Sequence, residues 1–316
     1  MIRKIVGILL IPFGSIAQDF PPSAGLPGST AIHSSSIYIS EWVNDVTVNQ
    51  GPMDISQPGL GLASLGSAEN AEGPSDPGVV SLGDGGEAII TLDNPMSNHA
   101  GFDFAVFENG FSADFLELAF VEVSSDGENY FRFASISNTD TSEQIGPFNV
   151  LDPTYIHNLA GKYQSQYGTP FDLAELDSIT GLDISDITHI RIVDVVGSIN
   201  ENYARYDSEG KKINDPWPTA FESSGFDLES VALLLENNLG LNEKDSELDY
   251  TYLDNTLVVH SSANNIDFQV FDLNGRLLKY GSTIGVISLN ELRNGVYIVH
   301  ILNEVHNFAA LKLLKN

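Results

Sequence analysis

The sequence predicts an all-β protein that consists of a large β-sandwich followed by a small C-terminal β-sandwich. Short segments rich in β-branched and aromatic residues recur along the chain, and Gly- and Pro-rich turns separate them. The charge distribution divides the chain. Residues 18–236 contain 34 acidic and 6 basic residues, whereas residues 249–316 contain 6 acidic and 5 basic residues. We therefore expect an acidic domain over residues 18–237, a linker over 238–248 and a second domain over 249–316.

The N-terminus has the pattern of a secretory signal peptide. Arg3 and Lys4 precede an apolar run over residues 5–13, and Ser15-Ile16-Ala17 follows with small residues where a signal peptidase cleaves. We expect residues 1–17 to be removed before Gln18. The run is too short to anchor the protein in a bilayer, and no later stretch predicts a membrane span. The chain has no cysteine, which excludes disulfides, thiolate metal sites and a lipid anchor on cysteine.

The acidic domain begins with irregular sequence and then changes to a strand pattern. Residues 49–86 are rich in Gly, Pro and Ser and predict a long loop region, and long loops in compact domains are often functional. The pattern over residues 156–166 predicts a short helix inside an insertion. Alternating segments predict strands over residues 87–92, 102–108, 116–124, 130–136, 189–196 and 226–235.

The C-terminal segment carries two hairpin signals, Asn274-Gly275 and Asn294-Gly295. A strand with Val270-Phe-Asp-Leu-Asn-Gly-Arg, a Leu-rich turn, Asn294-Gly-Val-Tyr-Ile-Val and a basic apolar end follow one another in this region. This order resembles the C-terminal sorting domain of type IX secretion cargo in Bacteroidota. The resemblance implies that residues 249–316 engage the type IX secretion machinery. It also implies that the protein is secreted or attached at the outer cell surface.

Two further resemblances concern the acidic domain. Val121-Glu-Val-Ser-Ser-Asp-Gly-Glu-Asn-Tyr-Phe is similar to a hairpin of jelly-roll carbohydrate-binding and discoidin-like domains. A wider set of motifs resembles a family of bacterial surface proteins associated with outer-membrane nutrient capture, sometimes beside cobalamin-uptake components. These motifs are Asp103-Phe-Ala-Val-Phe-Glu-Asn-Gly, Asn158-Leu-Ala-Gly-Lys-Tyr, Gly168-Thr-Pro-Phe-Asp-Leu, Asp215-Pro-Trp-Pro-Thr and Gly225-Phe-Asp-Leu-Glu-Ser-Val. They imply a jelly-roll-like sandwich that carries a binding site.

Several carboxylates fall on strand faces that also carry apolar residues. Residues i and i+2 of a strand share a face, so Glu108 lies with Val106, and Asp194 with Ile192. A buried carboxylate is unfavourable without a cation or several donors. Calcium binds carboxylate and amide oxygens, and jelly-roll modules often hold one. We therefore expect a Ca²⁺ site, the alternative being acids paired with Arg, capped by backbone N–H groups or exposed at strand edges. The predicted ligands are Glu108 and Asp227, with Asp103, Asn109 or Asp194 as additions.

The loop aromatics favour a binding protein. Trp217 lies between two prolines, and a rigid aromatic ring is a stacking platform for a sugar or a planar nutrient. Tyr203, Tyr206 and Tyr163 are expected to line the same cleft. The acidic surface excludes nucleic acid and anionic lipid, because both need Lys and Arg at the phosphates.

Three alternatives remain at the level of the sequence. One is a structural adhesin without a small ligand, and another is a surface protein associated with cobalamin uptake. The third is a glycoside hydrolase that uses Glu108 and Glu117 as paired carboxylates. The sequence contains no Gly-x-Ser-x-Gly elbow and no His-Glu-x-x-His helix.

Overall fold

The computed structural model describes residues 20–26, 28–36, 38–74, 78–235, 250–253, 255–260, 266–272, 277–303 and 308–315. The predicted signal peptide, the predicted linker and the turn at Asn274-Gly275 lie outside the described residues. Within these ranges no helix is long and apolar enough to cross a membrane.

The N-terminal part of the chain forms thirteen strands within the described residues. They are β1 (Ile32–His33), β2 (Ile39–Trp42), β3 (Val46–Asn49), β4 (Val80–Ser81), β5 (Glu87–Met96), β6 (Phe104–Glu108), β7 (Ala119–Ser124), β8 (Phe131–Arg132), β9 (Ile136–Ser137), β10 (Ile156–His157), β11 (Tyr167–Phe171), β12 (Ile187–Asp194) and β13 (Asp227–Leu234). One antiparallel sheet has the order β1-β11-β6-β13-β2, with β4 also paired to β13. A second antiparallel sheet has the order β3-β5-β12-β7-β8. The β-sandwich prediction is confirmed.

The core lies between these two sheets. Phe104 and Val106 of β6 pack in the same cluster as Val121 of β7 and Ile190 and Ile192 of β12. The other face of β6 is also covered, because Ala105 and Phe107 pack against Ala232, Leu234 and Trp42. All five residues of β6 are therefore buried, and so are all six of β7. A polar side chain on either strand has to be satisfied inside the protein or stay without a partner.

The helix predicted over residues 156–166 is wrong. A short 3-10 helix covers Pro153–Tyr155, and the chain then enters β10, which pairs with β9. Asn158, Gly161 and Gln166 all have positive φ, which an α-helix does not accommodate. Gly168-Thr-Pro, which follows this segment, lies inside β11.

The C-terminal part forms a second, smaller pair of sheets. Its strands are β14 (Tyr250–Leu253), β15 (Thr256–Val259), β16 (Ile266–Asp272), β17 (Leu277–Thr283), β18 (Val286–Ser288), β19 (Gly295–Asn303) and β20 (Phe308–Lys315). They pair as β14-β15-β18 and β17-β16-β19-β20. Leu257, Phe268, Val270, Ile287 and Val299 pack in a core of their own. The prediction of a small C-terminal sandwich is confirmed.

Candidate functional site

Strand register brings acidic residues from both sheets to one end of the large sandwich. Glu108, the last residue of β6, is paired with Leu228 at the start of β13. Asp194, the last residue of β12, is paired with Ala119 at the start of β7. We define the acidic cluster as Asp84, Glu108, Glu117, Asp194, Asp215 and Asp227, since electrostatic repulsion links the pKa values of these groups.

Glu108 is the most deeply buried carboxylate of the cluster. Its exposed fraction is 2%, and neither carboxylate oxygen has a hydrogen-bond partner. Burial raises the pKa of Glu108 well above its usual value, and the charges of Glu117 and Asp227 raise it further. The Gly110 N–H lowers this pKa only in part, because it does not reach hydrogen-bond geometry.

Asp227 and Glu117 are the nearest acidic neighbours in this part of the site. The Ser81 hydroxyl donates a hydrogen bond to Oδ1 of Asp227, and burial raises the pKa of Asp227 to about 6. Glu117 is half-buried just before β7. Burial raises the pKa of Glu117 well above its usual value, followed by the charges of Asp227, Asp215 and Asp194. Glu117 therefore interacts electrostatically with Glu108 and Asp227 and also with Asp194 and Asp215.

Asp194 and Asp215 hold the surrounding loops. Asp194 accepts hydrogen bonds from the backbone N–H groups of Gly85, Val196 and Phe226, each at 2.8 Å. Burial and then the charge of Asp84 raise the pKa of Asp194 to about 7, although these three N–H groups lower it. Asp215 accepts from Leu118 N–H at 2.8 Å. These two carboxylates fix the ends of strands and loops.

An aromatic pair lies next to the cluster. The rings of Trp217 and Tyr203 are 6.2 Å apart between centroids with a tilt of 37°, and both side chains are half-buried. The Trp217 indole N–H donates to Oδ2 of Asp84 at 3.0 Å. Burial raises the pKa of Asp84 to about 6, while Arg205 lowers it. The Trp217 ring is thus fixed to the cluster by its polar edge, while part of its surface is open to solvent.

The structure separates the predicted site residues into two groups. Glu108, Asp227 and Asp194 lie at the cluster end, and the Asn109 N–H donates to the Asp227 carbonyl there. Asp103 lies at the opposite end of β6, where it accepts from His99 and Leu173 N–H groups. About five strand residues, or roughly 16 Å, separate Asp103 from Glu108, so Asp103 cannot share an ion with it.

The four predicted aromatics do not line one cleft. Tyr163 is 1% exposed and its hydroxyl pairs with the Thr30 hydroxyl, so it belongs to the interior and offers no ligand surface. Tyr206 is exposed and donates to Glu201 at 2.9 Å. Only Trp217 and Tyr203 form a pair among these residues.

Sequence reasoning missed Asp84 and Asp215 as members of the site. Asp84 lies in the run Gly83-Asp84-Gly85-Gly86, where closely spaced glycines allow the backbone to approach a carboxylate. Asp215 lies two residues before Trp217, in the same motif that drew attention to the tryptophan. Within the described part of the chain, no three His, Asp or Glu side chains form a ready-made set of metal ligands.

Comparisons with known proteins characterise mainly the C-terminal part. Residues 253–315 match the family model described as a secretion system C-terminal sorting domain. No curated protein sequence is significantly similar to the chain.

Among solved structures, the chain is similar to the β-glucuronidase from Ruminococcus gnavus in complex with D-glucuronic acid. The match has a TM-score of 0.27 and 12% identity, and it covers 89% of this chain and 46% of the enzyme. The same enzyme with uronic isofagomine gives a TM-score of 0.24, 12% identity and coverage of 95% and 46%. The chain spans less than half of the length of these structures, and likeness at such TM-scores supports no conclusion about activity. The match of residues 253–315 to the secretion system C-terminal sorting domain indicates where the protein goes: it is exported by type IX secretion to the cell surface or the medium.

Proposed function

We propose that this exported protein captures an extracellular ligand, a glycan or another nutrient, on the surface formed by Trp217 and Tyr203, and that calcium supports this surface. One observation carries the proposal: the hydrogen bond from the Trp217 indole to Asp84 fixes an accessible aromatic ring at the acidic end of the sandwich. A ring that is fixed before binding loses little entropy when a sugar stacks on it.

The surroundings of the pair fit a polar ligand that also has an apolar face. The backbone of Tyr203 is held in place, because the Arg205 guanidinium donates a hydrogen bond to the Tyr203 carbonyl at 3.3 Å. Phe221 and Phe148 are exposed in neighbouring loops and lie 5.9 Å apart between ring centroids. The backbone N–H of Trp217 donates to the Ile145 carbonyl. The loop that carries Trp217 is therefore hydrogen-bonded to the segment that carries Phe148. Aromatic faces for stacking and nearby polar groups for orientation are typical of sugar and cofactor sites.

Trp217→Ala tests this proposal directly. The full chain is titrated with soluble glycans and with a corrinoid, and binding is followed by calorimetry. We expect the variant to bind at least about tenfold more weakly, since the loss of one stacking ring is worth on the order of 1.4 kcal/mol. Tyr280→Ala is the matched control, because Tyr280 is exposed in the sorting domain. Equal affinity of Trp217→Ala and the parent protein would refute this binding surface.

A second candidate function is glycoside hydrolysis, which the neighbouring carboxyls of Glu108 and Glu117 favour through their raised pKa values. Burial argues against it, because a general acid must reach the substrate and Glu108 is enclosed by the core. Release of new reducing ends from a bound glycan, lost in Glu117→Gln, would identify a hydrolase. Self-association that depends on concentration, without glycan or corrinoid binding, would instead support the structural adhesin.

A further inference from the structure

Glu108 differs from the other buried acids of the large sandwich. Glu122 is buried too, but it accepts from Arg132 Nε at 2.8 Å and also pairs with Arg191. Asp103 accepts two backbone N–H groups and Asp194 accepts three. Both oxygens of Glu108 are enclosed without a partner. A carboxyl group in this position costs stability unless something else compensates its oxygens.

The residues around Glu108 provide further acceptor oxygens. The Ser81 hydroxyl satisfies one oxygen of Asp227, and no described residue donates to the carboxylate of Glu117. A Cβ atom added to Gly110 would lie 2.9 Å from Oε2 of Glu108, so the absence of a side chain lets the Gly110 backbone lie close to this carboxylate. The group therefore has more acceptor oxygens than donors, and both oxygens of Glu108 lack a partner.

The basic residues of the domain are all engaged elsewhere. Arg132 and Arg191 pair with Glu122, and Arg205 donates to the Tyr203 carbonyl. Lys211 pairs with Glu209, Lys212 with Glu201, and Lys162 Nζ donates to the Ile156 carbonyl at 2.6 Å. These six are the only Lys and Arg residues between positions 18 and 236. A protein cation therefore does not neutralise the group around Glu108.

We infer that a hard divalent cation, Ca²⁺, binds between Glu108, Glu117 and Asp227. Calcium accepts six to eight oxygen ligands in flexible geometry, including bidentate carboxylates and water, whereas Mg²⁺ requires a near-ideal octahedron. The three carboxylates do not form a closed ligand set as they stand. Glu117 is the least buried of the three, so ion binding would require its side chain to turn toward Glu108 and Asp227. The site assigns Glu117 a metal-binding role in place of Asp103. This inference specifies the calcium part of the proposed function and rests on it, whereas it does not depend on whether Trp217 captures a glycan.

The test uses the full chain after treatment with a chelator. Calorimetric titration with CaCl₂ and MgCl₂ measures the affinity, and thermal unfolding in calcium and in chelator measures the linked stability. We expect one calcium ion to bind, with magnesium weaker, and the unfolding transition of the large sandwich to rise in calcium. Glu108→Gln should weaken calcium binding by more than about tenfold.

Glu128→Gln is the matched control, since it makes the same change of charge at an exposed position beyond the other end of β7. It should bind calcium like the parent protein. Glu117→Gln provides a second variant at a half-buried position, in case Glu108→Gln does not fold. Calcium affinity in Glu117→Gln equal to that of Glu128→Gln, or the absence of any calcium response in the parent protein, would overturn the site. Neither result depends on the glycan titration.

Discussion

The two sandwiches of this chain satisfy their interiors in different ways. In the small one, the buried polar side chains among the described residues are Gln269 and Lys315. Lys315 Nζ donates to the Asn290 carbonyl at 2.9 Å and to the Leu292 carbonyl, so it fixes the loop between β18 and β19. The rest of its core is aliphatic and aromatic. Among its described residues, the small sandwich therefore has a β-core without a buried carboxylate.

The large sandwich retains carboxylates at one end of its core. Glu108, Asp194 and Asp215 are all buried there, and the pKa of each is raised, first by burial. Solubility does not explain these buried carboxylates, because only charge at the surface makes protein molecules repel one another. The two sandwiches therefore differ in how their interiors are built, and the proposed calcium site accounts for the carboxylates of the large one.

The largest expected effect of a substitution is on stability. It comes from replacing a buried carboxylate of the large sandwich with an apolar side chain, as in the core of the small sandwich. In chelator, Glu108→Met should stabilise the large sandwich by about 1–3 kcal/mol, because a carboxyl without a donor is replaced by an apolar chain of similar length. Glu122→Met is the matched change at a buried acid that has two arginine partners. It should destabilise by about 2 kcal/mol, a value reduced because Arg132 is 40% exposed.

Denaturant unfolding of the two variants measures this contrast. The sign of the change in stability decides between the two possibilities, since each substitution removes one buried carboxylate, Glu108 from β6 and Glu122 from β7. If Glu108→Met lost as much stability in chelator as Glu122→Met, Glu108 would be a structural acid, and the contrast between the two sandwiches would disappear.

The two sandwiches should also respond to pH in opposite directions. Asp194 and Asp84 have folded-state pKa values raised to about 7 and about 6, so their protonation stabilises the large sandwich. That stability is complete below the unfolded pKa near 4 and is lost as pH rises toward 7. In chelator, lowering the pH from 7.5 to 5 should therefore raise the free energy of unfolding of the large sandwich by ~4 kcal/mol.

The small sandwich has the opposite linkage through His300. Burial lowers the pKa of His300 to about 4, and the ring lies 3.1 Å from the Tyr38 hydroxyl. The folded state then binds fewer protons than the unfolded state, so stability is lost as pH falls below about 6.5. The same change of pH should cost the tail ~2 kcal/mol. Scanning calorimetry measures unfolding at each pH, and His300→Gln should remove the loss of tail stability at low pH.

Strand alternation was sufficient to identify the faces of the acids. The pattern around Glu108 and Asp194 correctly places both side chains on the inner face, because a period of two is a property of any strand. Alternation gives no information about which end of the sheet two residues share. Asp103 and Glu108 are close in sequence and at opposite ends of β6, whereas Glu108 and Asp227 are distant in sequence and adjacent.

The errors in the loops have a common physical origin. The helix expected over residues 156–166 fails because Asn158 and Gln166 adopt positive φ, which composition does not reveal. Tyr163 was expected in a cleft and is instead buried against Thr30, because an insertion without regular structure gives no periodicity from which to read its direction. Trp217 was identified correctly as a loop aromatic, but its partner Asp84 lies 133 positions away in the chain.

The smallest expected effect is optical and reports on the contact between the two parts of the site. Trp217 and Trp42 are the only tryptophans, and Trp42 packs against Phe107 with ring centroids 5.0 Å apart. In a Trp42→Phe background the fluorescence therefore comes from Trp217 alone. Because its indole N–H donates to Asp84, whose pKa is raised to about 6, the emission should change with a midpoint near pH 6. Asp84→Asn should abolish this transition, since the amide does not titrate.

Calcium should move the midpoint to lower pH, because a cation in the cluster favours the ionised form of every nearby carboxylate. A midpoint that persists in Asp84→Asn would show that Trp217 senses another group, and the link between the aromatic pair and the cluster would then be lost.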